Sequence, residues 1–106
     1  MEWIYLLLAG VLEIGWPLGL KLSQTTGNKI NWIMFSAVCM IASGVMLYLA
    51  QRNIPMGTAY AIWTGIGAAG AFIIGIIIFK EPASAFRVIS VSLIVMGIIG
   101  LKLSNN

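Results

Sequence analysis

Only one carboxylate lies deep within an apolar run: Glu13, in Leu12-Glu13-Ile14-Gly15-Trp16-Pro17-Leu18-Gly19-Leu20-Lys21. A charge at bilayer mid-depth costs about 3 kcal/mol or more, so such groups usually face a cavity and mark an ion or substrate path. Every cationic side chain (Lys21, Lys29, Arg52, Lys80, Arg87 and Lys102) falls at the end of an apolar run, leaving none to pair with Glu13. Its partner is then expected from outside the chain, as a proton or a cationic substrate. The plainer alternative is a structural carboxyl kept protonated by a neighbouring backbone group.

Pro17 lies four residues beyond the acid. Proline has no amide hydrogen, so the Glu13 carbonyl loses its usual helical donor, and a bend is expected at that turn. Helical spacing puts Gly10, Glu13 and Pro17 on one stripe, with Trp16 beside it. Gly10, Gly15 and Gly19 add slack and allow other helices to approach closely.

Three further segments carry groups that could meet the acid. Tyr60 and Trp63 fall one turn apart on one face, with Gly67 a turn further on. Such a pair can box a cation with its π faces, or simply pack. Gly65 and Gly67 belong to a small-residue stretch that reads as a hinge or a close-packing face. Ser43 could donate to a carboxylate, with Ser36 two turns before it on the same face, although serines in membrane helices commonly bond their own backbone. Ser90 and Gly97 form a small-residue pair suited to helix–helix contact.

The elements that must position these groups follow from composition. The chain has 106 residues, 60% hydrophobic and 8% charged, more apolar surface than a soluble domain of this size could hide. No Asp, Glu, Lys or Arg lies between Lys29 and Arg52 or between Arg52 and Lys80, and each gap exceeds the roughly 20 residues that cross a bilayer. Turn clusters divide the sequence into four spans, at about 3–22, 30–50, 56–79 and 83–103. The runs lack the strand alternation of a barrel, so an all-α membrane protein is expected, one four-helix domain with no extramembrane part. The acidic start at Met1-Glu2-Trp3 reads as the beginning of a retained helix rather than a leader.

The net charge of +3 is carried by scattered single residues, as membrane anchors are, with no cluster to follow a nucleic-acid backbone. Histidine is absent and cysteine occurs once, which excludes a His/Cys metal site and an intrachain disulfide. Cys39 reads as a small buried apolar residue, and no cofactor is expected. Gly-Leu-Lys-Leu-Ser occurs at 19–23 and 100–104, two helix exits with the same lysine anchor. Four spans put Arg52 and Lys102 on one side and Lys21, Lys29, Lys80 and Arg87 on the other. So weak a bias predicts a chain able to insert in both orientations.

With the single deep acid, the stretch Pro55-Met56-Gly57-Thr58-Ala59-Tyr60-Ala61-Ile62-Trp63-Thr64-Gly65-Ile66-Gly67-Ala68 resembles the small multidrug resistance transporters, over the whole chain. Trp16, the 63–68 run, Lys80-Glu81-Pro82 and Gly97-Ile98-Ile99-Gly100-Leu101-Lys102 are similar to the guanidinium exporters of that family. The resemblance implies a proton-coupled antiporter in a bacterial inner membrane, acting as an antiparallel, dual-topology homodimer with both copies of Glu13 in one central site. It implies that Glu13 binds substrate or proton, Trp16 and Ser43 orient it, Tyr60 and Trp63 line the pocket, and Ser90 and Gly97 make the dimer contact. Two positions depart from the pattern. Pro17 stands where a small non-proline residue is usual, which bears on substrate choice, and Ser90 stands where a glycine is usual.

If cation and proton compete for Glu13, and the empty deprotonated site does not reorient, one leaves as the other enters. No bond is made or broken, so no enzyme is expected. Guanidinium suits such a site because it is planar, permanently charged and presents paired N–H donors to a carboxylate. The alternatives are export of quaternary ammonium or hydrophobic drug cations by the same exchange, and a non-transporting subunit that completes a heterodimer.

Overall fold

The structure is a computed structural model that describes residues 2–104. Those residues form four α-helices: α1 Glu2–Thr25, α2 Lys29–Ala50, α3 Met56–Phe79 and α4 Ala85–Ser104. Each is long and apolar enough to cross a membrane. Helices of 20 to 24 residues span about 30 Å or more at about 1.5 Å per residue, the thickness of a bilayer core. In lipid this is the form that satisfies every backbone group within its own segment.

Side-chain hydrogen bonds reinforce the end of α1 and the start of α4. α1 extends past Leu22 because polar side chains serve its final carbonyls: Ser23 Oγ donates to the Leu20 carbonyl at 2.6 Å and Thr26 Oγ1 to that of Leu22 at 2.7 Å. α1 also runs as one helix through Pro17. α4 starts at Ala85, two residues after the expected position. Pro82 lies just upstream, and Ser84 caps the helix by accepting the Arg87 amide at its hydroxyl at 3.3 Å. α3 ends at Lys80, which adopts a left-handed conformation with φ 54°. Helices often close with such a residue, though usually a glycine.

α1 lies between α2 and α3 and packs on both, while α4 packs on α3. The arrangement is thin, measuring 47 × 34 × 16 Å. Its main core gathers at one end of the bundle, where Leu6, Ala50, Ile54, Ala59 and Ile62 are buried together. Asn53 Nδ2 donates to the Glu2 carboxylate there and ties the α2–α3 turn to the start of α1. No described residue of α4 is buried, and large apolar side chains such as Phe86, Leu93 and Met96 stand exposed along it.

Tight approach of α1 to its neighbours depends on glycine. A Cβ on Gly10 would stand 2.7 Å from Ile66 Cγ2 on α3, and one on Gly15 would stand 2.7 Å from Cys39 Sγ on α2. Cys39 is buried and free, a small space-filling residue against that glycine.

Candidate substrate-binding site

Glu13 is half-buried on the side of α1 that faces α3. Its side chain lies on the bare backbone of Gly67, where an added Cβ would stand 2.6 Å from Glu13 Cγ. The contacts on either side repeat the pattern: Ile66 fits against Gly10, and Ile14 fits against Gly70. Small and large residues thus alternate across the α1–α3 seam, and the acid occupies the middle of it. Gly65 faces elsewhere. A Cβ there would meet Ile98 of α4 at 2.8 Å. Two residues along a helix is about 200° of rotation, so Gly65 and Gly67 serve opposite faces of α3.

α2 contributes Ser43, which is fully buried. Its hydroxyl donates to the Ala9 carbonyl of α1 at 2.7 Å and accepts the indole N–H of Trp63 at 2.8 Å. Glu13 Oε1 lies 3.5 Å from the same oxygen. One hydroxyl therefore joins three helices beside the acid. Among the described residues, no buried side-chain nitrogen or oxygen is without a partner, as a desolvated site requires.

Trp63 also meets Tyr60, with ring centroids 5.3 Å apart and planes tilted by 53°. Tyr60 is exposed, so the pair runs from the buried serine out to the open side of α3. Trp16 is half-buried, and its carbonyl accepts from Ser36 Oγ at 2.9 Å. Ser36 and Ser43 both bond α1 carbonyls and not their own helix, replacing the local bonding expected of such serines. Spacing put the two serines on one face and Ser43 forward as a donor to a carboxylate, but gave no sign of the Trp16 and Ala9 carbonyls that they reach.

Pro17 lies a turn beyond Glu13 and lines a cavity of about 340 Å³ between α1 and α3. Ile14, Lys21, Phe72, Phe79 and Glu81 are among its other walls, so the groove runs along α1 and α3 from Ile14 to the α3–α4 loop. Ser90 and Gly97 lie away from all of this. Ser90 donates to the Phe86 carbonyl of its own helix at 2.8 Å, and Gly97 is exposed, with no atom of the described residues beyond its own stretch of α4 within 4 Å of an added Cβ.

The arrangement sets a carboxyl group in a mostly apolar seam, with the Ser43 hydroxyl at its side and the Trp63–Tyr60 pair reached through that hydroxyl. The family model described as Small Multidrug Resistance protein matches residues 1–94. The chain belongs to the small multidrug resistance family. It is similar over its full length, and that of each relative, to proteins named guanidinium exporter: 50% identical to those of Citrobacter freundii and Salmonella typhimurium and 46% to that of Escherichia coli K12. This small multidrug resistance protein is accordingly a transporter and a multi-pass protein of the bacterial inner membrane.

Proposed function

We propose that the protein exports guanidinium and small guanidinyl cations in exchange for protons, as an antiparallel homodimer in which both copies of Glu13 share one chamber. The observation that carries this reading is the placement of Glu13, the only acid deep within a span, within 3.5 Å of a serine that also holds Trp63. Relatives named guanidinium exporter, at 46–50% identity, supply the substrate.

Ionised Glu13 presents two acceptor oxygens, and guanidinium presents paired N–H donors in the same plane. The Tyr60 and Trp63 rings supply π faces for the cation. Protonation removes the charge that holds the guest, so proton and cation exclude each other at one carboxyl. Ser43 can serve both states. Its oxygen accepts from Trp63 and keeps a lone pair for a protonated Glu13, while its own proton can turn from the Ala9 carbonyl toward an ionised one.

A second copy is supported by what one chain leaves open: a layer 16 Å thick, and an α4 with no buried residue whose Gly97 backbone is bare. Ser90 and Gly97 would make the contact. The weak Lys/Arg asymmetry allows the two copies to insert in opposite senses.

The test is transport current from proteoliposomes of the purified chain. Guanidinium is expected to drive current, and tetramethylammonium, which lacks N–H donors, to drive far less. Equal currents would move the function to quaternary ammonium export. The absence of both current and cation-driven proton flux with either, the second readout covering a one-for-one exchange that moves no net charge, would indicate a subunit that needs a different partner chain.

A further inference from the structure

The far end of the groove already holds a guanidinium group, that of Arg87. The left-handed Lys80 turns the chain back at the end of α3, and the Glu81 amide donates to the Gly75 carbonyl at 3.1 Å. This folds the Glu81 carboxylate onto the bare backbone of Gly75, where a side chain would collide with it. Arg87 places one terminal nitrogen 3.9 Å from Glu81 Oε1, with its central carbon 5.0 Å from the Phe72 ring centroid. Glu81 and Phe72 both line the cavity that begins at Ile14 and Pro17, on the helix that carries Glu13. On the facing wall, Lys21 lies 6.0 Å from the Phe79 ring.

We propose that Glu81 and the face of Phe72 form an outer guanidinium site at the mouth of the groove, and that Arg87 occupies it as a stand-in that incoming substrate displaces. The carboxylate and aromatic face combine the two features that bind a planar cation. Arg87 holds them loosely, because the two side chains are 41% and 42% exposed and the ion pair is long. Pairs of that kind contribute little and exchange readily. A free guanidinium competes for the same two groups and, once seated, stands at the mouth of a groove whose inner wall is Ile14 and Pro17, on the helix that carries Glu13. In an antiparallel pair, one such mouth would face each aqueous side. The inference rests on guanidinium as the substrate.

The experiment works in the Glu13→Gln background, where the inner site is disabled. Guanidinium is titrated onto the dimer while the Arg87 side-chain Nε–H is followed by NMR, with Arg52 as the internal control. The expected result is a saturable move of the Arg87 signal toward its solvent-exposed position, with an affinity of about a millimolar, that disappears when Glu81→Gln is added. In the transporting wild type, Arg87→Gln should lower KM about threefold, a gain of the size such exposed pairs carry, with the maximal current unchanged. Glu81→Gln should raise KM and cancel that gain. Arg87→Lys, which keeps the charge without the planar fork, should lower KM in the same direction but less. An Arg87 signal unmoved by guanidinium, or moved equally with Glu81→Gln present, overturns the outer site. So do additive KM shifts, which would mark a diffuse charge effect. A wild type that carries no guanidinium current while the Arg87 signal still responds would instead overturn the transport reading and leave the outer site standing.

Discussion

Glu13 and Gly67 interlock: the Cγ of the acid stands 2.6 Å from where a Cβ on Gly67 would be. The position of the carboxylate is therefore set by the absence of a side chain on the neighbouring helix. Gly67→Ala must push the acid aside or open the α1–α3 seam. Displacements of about 1 Å at a reacting group can cost about a hundredfold in rate, so guanidinium current should fall by at least tenfold with insertion into the membrane unchanged. Full activity in the variant would mean that Glu13 moves freely over α3.

Ser43→Ala removes the acceptor of the Trp63 indole and the donor to Ala9 together. A buried donor without a partner costs about 1–3 kcal/mol. Thermal unfolding in detergent should show a loss of that size, and Ser43→Thr should recover most of it by restoring the hydroxyl. A silent Ser43→Ala would show that the three-helix junction adds nothing to stability.

The four spans could be read directly from the sequence, because uncharged runs longer than a bilayer core leave little choice of element. Glu13 stood out for the same reason. What spacing could not supply was register between helices. Ser43 was recognised as a potential donor, but its partners, the Ala9 carbonyl and the Trp63 indole, depend on how α1, α2 and α3 abut. Gly65 and Gly67 formed one small-residue stretch in sequence, whereas in three dimensions one takes Ile98 and the other takes Glu13. The later start of α4 likewise rests on one capping hydroxyl, that of Ser84.

Gly97 offers a clean test of assembly, since among the described residues nothing beyond its own stretch of α4 lies within 4 Å of a Cβ added there. Gly97→Leu should leave the four-helix fold intact and disrupt contact between copies. Crosslinking or size-exclusion chromatography in mild detergent should then report monomer, and transport should be lost with it. A variant that remains dimeric and active would remove α4 from the interface at that position.

The central claim is that guest and proton compete for one carboxyl. Calorimetry of guanidinium binding, repeated in buffers of different ionisation enthalpy and on both sides of neutrality, tests it most directly. The wild type is predicted to release protons as the cation binds and to bind more weakly as pH falls, while Glu13→Gln loses binding in the chamber and the proton release together. Undiminished binding in Glu13→Gln, or wild-type binding with no proton released at any pH, would contradict the account.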